Sequence, residues 1–198
     1  MKWVTRDHVH MDRVASPWLI RRFIDPSAEF IFVPFAKTRS SPIDFLLPSD
    51  AIAFGIPGSE LGPHDEHGST FRKLLRKYSL DDAALEFMAR IIESGVHHVF
   101  HHHDSGYSVA QLKHAEGVGL DALALGMLYL SIDDARNIEH SIVIYDALYG
   151  YCAGTILLKE RPALTSLPVP QGWDEVKKEL RQRLPWASGV VKTPLGSF

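Results

Sequence analysis

The chain is poor in cysteine, since Cys152 is the only one among its 198 residues. A single thiol cannot form an intrachain disulfide, and it cannot supply the paired cysteines of a zinc finger or ribbon. Cys152 lies in an apolar helical segment beside Tyr151, where a thiol is usually buried and inert. The sequence therefore excludes a disulfide scaffold and a Cys-rich zinc module.

Long apolar runs and an excess of positive charge are also absent. No apolar run approaches the roughly 18 residues of a membrane span, and the N-terminal MKWVTRDHVH lacks the apolar core of a signal peptide. The formal net charge of −3 gives no general attraction to nucleic acid. We therefore expect a cytoplasmic protein without a membrane or nucleic-acid partner. The sequence also lacks a P-loop, a Gly-x-Ser-x-Gly elbow and a dinucleotide-binding glycine motif.

Short alternating segments in the first third of the chain are typical of strands. They cover 2–5, 29–34 and 51–58. Between the first two, SPWLIRRFID (16–25) predicts a helix that Ser16 caps and that has Pro17 in its first turn. The segment 36–50 is predicted to be a loop with a short helical turn.

From about Thr70 the apolar period changes from two residues to about 3.6, which predicts helices. They cover 70–78, 79–95, 119–130 and 131–154, with Gly95 as the end of the second and Leu123 on the buried face of the third. Strands first and helices later predict an α+β fold. A small sheet in the N-terminal half would pack against a mostly helical C-terminal half.

The domain organisation follows from where this pattern ends. We expect one domain over 1–155, followed by a proline-punctuated tail over 156–198 with one peripheral helix, WDEVKKELRQRL. That helix is also a candidate partner-binding arm, in which case the polar residues elsewhere would be structural only.

The stretch HHVFHHHDSG (97–106) contains five of the eleven histidines. Two neighbouring imidazoles could bind a transition metal in either a helix or a strand. However, Gly95 and Gly106 bracket the tract, and Asp104 is the only carboxylate within it. We expect an exposed, mobile connection between helices and not the principal metal site.

Other polar side chains are better placed to form a site. Glu60 and His64 lie in SELGPHDEHG (59–68), a loop that follows a strand, and they suit Zn²⁺, Mn²⁺ or Fe²⁺, although a polar turn explains them equally well. In TRDHVHMDR (5–13), His8 is a candidate ligand, while Asp12 could simply cap a helix and Arg13 could pair with it.

Asp146 lies within the apolar stripe of the last long helix of the predicted domain. A buried carboxylate requires an arginine, a hydrogen-bond network or a metal. An arginine such as Arg13 is the commoner partner. Arg22 lies four residues after Trp18, where it could stack on the indole or reach an anion.

Three blocks of the sequence resemble the C-terminal domain of the ChrB-type chromate-resistance proteins. They are the segment from KWVTRDHVHMDRV to EFIFVP, then GIPGSELGPH, and then GLDALALGMLYL with IYDALYGYC, and together they span about residues 2–152. The resemblance implies a role in chromate resistance. Ser16 stands where the family often has a cysteine, and the N-terminal regulatory portion of the long members is absent. We therefore do not expect thiol reduction of chromate or a transcription-factor role.

The polar positions that match the family come from three separate segments, which could converge on one pocket. The leading hypothesis is a divalent transition metal (Zn, Mn or Fe) bound by His8, Glu60, His64 and Asp146, with Asp12 as a supporting residue. Arg13 and Arg22 would attract a small anion or oxyanion, and an open metal position would make the protein a metal-dependent enzyme. The alternative is a non-catalytic sensor or binding module for chromate or a related oxyanion. A homo-oligomer is compatible with both.

Overall fold

The computed structural model describes residues 1–35, 48 and 50–183. Its sheet has three parallel strands in the order β2-β1-β3, with β1 at Lys2–Arg6, β2 at Glu29–Val33 and β3 at Ala51–Ala53. The register places Arg6 beside Val33 and Val4 beside Ala53. The carboxyl ends of all three strands therefore meet at one edge of the sheet.

Six helices account for most of the remaining described residues. They are α1 at Asp12–Leu19, α2 at Thr70–Lys77, α3 at Ala83–His101, α4 at Glu116–Leu130, α5 at Asp134–Glu160 and α6 at Gln171–Arg183. A π-helical turn at Ile20–Ile24 continues α1, and 3₁₀ turns cover Val109–Gln111 and Pro162–Ser166. The predicted α+β class, with a small N-terminal sheet and a helical remainder, is confirmed.

An aromatic core joins the sheet to the helices. Trp3 of β1 packs edge-on against Phe54, with ring centroids 6.3 Å apart. Trp18 of α1 stacks on Phe71 of α2 at 6.4 Å and contacts Tyr149 of α5 at 5.6 Å. Burial of large aromatic side chains supplies much of the favourable free energy of folding.

The first helix begins earlier than the sequence indicates. It starts at Asp12 rather than at Ser16, so Pro17 lies inside the helix and Ser16 is buried. The predicted cap was wrong because the polar residue that opens the helix is Asp12, which packs inward. The loop predicted over 36–50 lies outside the described residues, apart from 48 and 50.

Gly95 does not end its helix as predicted. Helix α3 continues to His101, and Gly95 faces Gly117 of α4 across a close helix crossing. A Cβ built on Gly95 would lie 2.7 Å from the carbonyl oxygen of Gly117. This glycine is therefore explained by backbone-to-backbone packing and not by helix termination.

Helix α5 is long and apolar enough to cross a membrane by length and composition alone. Within the fold, one side of it is buried against other helices and carries Tyr145, Asp146, Tyr149 and Cys152. Burial raises the pKa of the Cys152 thiol to about 12, which agrees with the inert cysteine expected from sequence.

The tail helix α6 packs on the end of α5. Arg161 and Glu179 form an ion pair, and Leu180 lies near Gly154. Helix α5 continues past the boundary predicted at residue 155 and ends at Glu160.

Candidate functional site

Two arginines converge on Gly55 at the carboxyl edge of the sheet. Arg6 ends β1, and its Nε donates to the carbonyl oxygen of Gly55 at 3.1 Å. The Arg13 side chain passes close by, since a Cβ on Gly55 would be 3.0 Å from both Cγ and Cδ of Arg13. Open parallel sheets bind their ligands outside this edge, where the strand-to-helix connections leave room.

Arg13 fixes the backbone that leaves β1. Its Nη1 donates to the carbonyl oxygens of Arg6 and Asp7 at 3.1 and 2.9 Å, and its Nη2 donates to that of His8 at 2.8 Å. Its guanidinium thus holds three successive carbonyl groups.

Helix α5 holds the same segment from the other side. Asp134 accepts the backbone N–H groups of His8 and Val9 at 2.9 and 2.7 Å. Asn137 Nδ2 donates to the carbonyl oxygen of Val9 at 2.9 Å, and Tyr145 Oη donates to that of Met11 at 2.9 Å. The neighbouring Asp133 caps α5 by accepting from the Arg136 N–H at 2.7 Å.

The backbone of this edge is strained. His8 and Met11 have φ angles of 56° and 51°, in the left-handed region that non-glycine residues rarely adopt, and Gly55 has a φ of 61°. For residues other than glycine, such as His8 and Met11, these conformations cost of order 1–3 kcal/mol each and concentrate at functional sites. The hydrogen bonds from Arg13 and α5 offset that cost.

Arg6 and Arg13 have no direct carboxylate partner among the described residues. Neither side chain forms an ion pair with any carboxylate in the described part of the chain. Burial lowers the pKa of Arg6, and burial together with the Arg6 charge lowers the pKa of Arg13 to about 10. Asp134, Asp12 and Asp7 oppose the shift of Arg13 only through space. A bound anion would relieve the repulsion between the two guanidinium groups.

Arg22 and Asp146, predicted for an anion and a metal, pair with each other. Arg22 Nε and Nη2 donate to the two carboxylate oxygens of Asp146 at 2.9 and 2.5 Å, and Trp18 Nε1 donates to Oδ1 at 2.7 Å. The arginine named from sequence as the commoner partner of Asp146 was Arg13. The structure gives that role to Arg22, because Arg13 is engaged at the sheet edge. These contacts already account for the burial of Asp146.

Asp12 caps a helix, but not its own. Its two carboxylate oxygens accept the backbone N–H groups of Thr70 and Phe71 at 2.8 and 2.9 Å, at the start of α2. Burial raises the pKa of Asp12, and these two hydrogen bonds lower it in part. Asp12 thereby joins α1 to the start of α2, just after the loop that contains Glu60 and His64.

Asp12→Ala should lower the free energy of unfolding by about 2 kcal/mol or more, since two buried N–H groups would lose their acceptor. Glu60→Ala is the matched control and should change it by less than about 0.5 kcal/mol, because exposed ion pairs contribute little. Urea denaturation followed by circular dichroism measures both values. Equal losses in the two variants would show that the Asp12 cap is not structural.

Glu60 and His64 are exposed in the loop after β3. Glu60 pairs with Lys77 of α2. His8 is exposed as well, with Nδ1 3.1 Å from an Asp7 oxygen. The described residues include no group of three or more His, Cys, Asp or Glu side chains that could hold a metal ion. The metal centre with Zn, Mn or Fe stays a prediction.

The histidine tract is the connection predicted from sequence only in its second half, because α3 runs through its first half to His101. The imidazole rings of His97 and His101 lie 4.3 Å apart between centroids. His101 Nδ1 is 2.7 Å from an Asp104 carboxylate oxygen, and His98 Nδ1 is 2.8 Å from Tyr107 Oη. His98 and His101 therefore lie in a helix and have side-chain partners, although the flanking glycines indicated a loop.

The sequence interpretation missed Arg6, Gly55 and the three α5 residues that hold the 8–11 segment. Arg6 had a usable signal, since it directly follows a predicted strand and is followed by polar residues. The contacts from α5 had none, because they join residues more than 120 positions apart.

Comparison with known proteins places the chain in a family. The model of the ChrB C-terminal domain matches residues 3–152. Protein ChrB of Cupriavidus metallidurans is 30% identical over 152 residues, which cover 75% of this chain and 40% of that relative. The chain thus spans well under half of the relative's length, and no solved structure matches it significantly. The family resemblance predicted from the three sequence blocks is confirmed. The chain belongs to the ChrB family, and residues 3–152 correspond to the C-terminal domain of that family.

Proposed function

We propose that this domain is a non-catalytic binding module for a small oxyanion of the chromate or sulfate class. Membership of the ChrB family supports an association with chromate resistance. The observation that carries the proposal is the pair of arginines without an ion-paired carboxylate, Arg6 and Arg13, at the carboxyl edge of the sheet.

Arg6 is the residue that would touch the anion. Its Nε is bonded to Gly55, and no described residue accepts a hydrogen bond from its two terminal NH₂ groups. Its guanidinium also lies over the Phe35 ring, 4.6 Å from the centroid, which limits its freedom. A planar guanidinium with several free donors suits the oxygens of a tetrahedral anion.

Arg13 would contribute chiefly its charge and its hold on the backbone. Three carbonyl groups already occupy its Nη atoms. Arg22, the other arginine expected from sequence to bind an anion, is bonded to Asp146. The sequence predicted Arg13 and Arg22 as the anion-binding pair, whereas the proposed pair is Arg6 and Arg13.

Arg6→Gln should weaken chromate and sulfate binding at least tenfold. Hydrogen bonds to a charged group contribute about 1.5–3 kcal/mol, and about 1.4 kcal/mol is tenfold in affinity. Arg90→Gln is the control, because Arg90 is exposed on α3 and has the same charge. Equilibrium dialysis with each anion, before and after EDTA, measures the effect.

Three outcomes of that experiment would reject the proposal. They are a wild-type protein that retains neither anion, equal binding by both variants, and loss of binding after EDTA. The last result would favour the predicted metal centre instead. Elemental analysis of the untagged protein with Glu60→Ala and His64→Ala would then test the ligands of that centre.

A further inference from the structure

Helices α4 and α5 leave large apolar side chains open to water. Leu123, Tyr129 and Leu130 of α4 are 55%, 75% and 82% exposed. Ile132 follows at 88%, and Val143 and Tyr151 of α5 are 51% and 47% exposed. These six residues define the α4–α5 apolar face. The sequence placed Leu123 on the buried side of its helix, which was wrong.

The exposed sides of the two helices form one surface. Tyr151 of α5 donates its hydroxyl hydrogen to a Glu116 carboxylate oxygen of α4 at 2.9 Å, which joins the two helices. Positions 119, 122, 126 and 147, on the same exposed sides, are glycine or alanine. Small residues therefore lie between the large apolar side chains, and charged side chains such as Glu116 and Arg136 lie toward the starts of the two helices.

The opposite side of α4 is already buried. Gly117, Leu120 and Ala124 pack toward the core, and Asp121, the last charged residue of the helix, lies beside His10 with the nearest atoms 3.1 Å apart. The helix is apolar on both of its sides, and a helix that is hydrophobic all round is normally buried all round. Within the described residues, the core covers only one side of α4.

We propose that a second copy of this chain covers the α4–α5 apolar face in a two-fold dimer. At their observed exposures, the six side chains leave on the order of 800 Å² open, which is about what each partner contributes to a stable interface. A two-fold axis requires one surface to fit itself, and an apolar centre makes no unfavourable charge contact with its own copy.

The surroundings of the face resemble the rim of an interface. Arg136 and Glu139 form an ion pair at the start of α5, next to the exposed His140, and Glu116 lies at the start of α4. An apolar centre with a polar rim is the usual arrangement in protein interfaces. The dimer does not depend on the proposed anion site.

Sedimentation equilibrium of the full chain tests the dimer. Wild-type protein should have twice the 22.2 kDa mass of one chain. Leu130→Asp and, separately, Leu123→Asp should each weaken dimerisation at least 100-fold. Both residues are largely exposed, so thermal melting of the dissociated chains should show that they remain folded. Trp173→Asp on α6 is the matched control, since Trp173 is 62% exposed but lies outside the face.

A wild-type mass of one chain at all concentrations would overturn the proposal. So would a dimer that Trp173→Asp dissociates and Leu130→Asp leaves intact, since this would identify α6 as the interface. A monomer that pellets with phosphatidylcholine vesicles would also overturn it and would indicate a lipid surface as the occupant.

Discussion

Gly117→Ala should lower the free energy of unfolding by about 3 kcal/mol or more, because overpacking at a close contact costs 1–3 kcal/mol and sometimes more. The added Cβ would lie 2.4 Å from the backbone nitrogen of Gly95 and 2.7 Å from the carbonyl oxygen of Ile91. Both are backbone atoms of α3, so no side chain can rotate away. The two helices would have to separate, and the packing of Leu120 and Ala124 would be lost with their contact.

The matched control lies two residues further along the same helix. A Cβ on Gly119 meets nothing within 4 Å, so Gly119→Ala should raise stability by about 0.5–1 kcal/mol through helix propensity alone. Urea denaturation followed by circular dichroism gives both values. A small effect at Gly117, equal to that at Gly119, would contradict the close crossing of α3 and α4.

Asp146→Ala should cost about 3–5 kcal/mol, the usual result of removing one partner from a buried ion pair. The side chain of Asp146 is 4% exposed and that of Arg22 is 26% exposed. The variant would leave the guanidinium of Arg22 and the indole N–H of Trp18 without the carboxylate that now accepts from both. The effect should appear in stability, with no change in the metal content of the purified protein.

The double variant Asp146→Leu with Arg22→Met tests whether the unpaired charge of Arg22 causes the stability loss of Asp146→Ala. Replacing both charges removes the uncompensated group, and such replacements are often neutral or stabilising. We expect the double variant to recover most of the stability that Asp146→Ala loses. A loss of bound metal at unchanged stability in Asp146→Ala would instead make Asp146 a metal ligand.

The fold could be predicted well from the sequence because local patterns determine its elements. Alternating apolar residues placed β1 and β2 within one residue of their ends, and the 3.6-residue period located α2 to α5. The predictions failed where a residue's role depends on a contact with a distant part of the chain. Gly95 was predicted to end its helix, but it packs against Gly117. Leu123 was predicted to be buried, but the other side of α4 is the buried one.

The candidate site could be predicted only in part, for the same reason. Residue type and burial identified Arg13, Asp12 and Asp146 as important, but not their partners. Asp146 accepts hydrogen bonds from Arg22, which lies near it in space, and Asp12 accepts them from the start of α2, 58 residues away. The sequence pattern gives no sign of either choice, because both depend on how α1 packs against α2 and α5.

A crystal structure of the chain soaked in selenate would show directly whether an oxyanion binds at the sheet edge. Selenate has the shape and charge of chromate and sulfate, and selenium gives an anomalous signal that locates it. We expect an anomalous peak within hydrogen-bond distance of the terminal nitrogens of Arg6, beside Gly55 and Arg13. A soaked crystal with no peak at that edge, or with selenate bound only elsewhere, would contradict it.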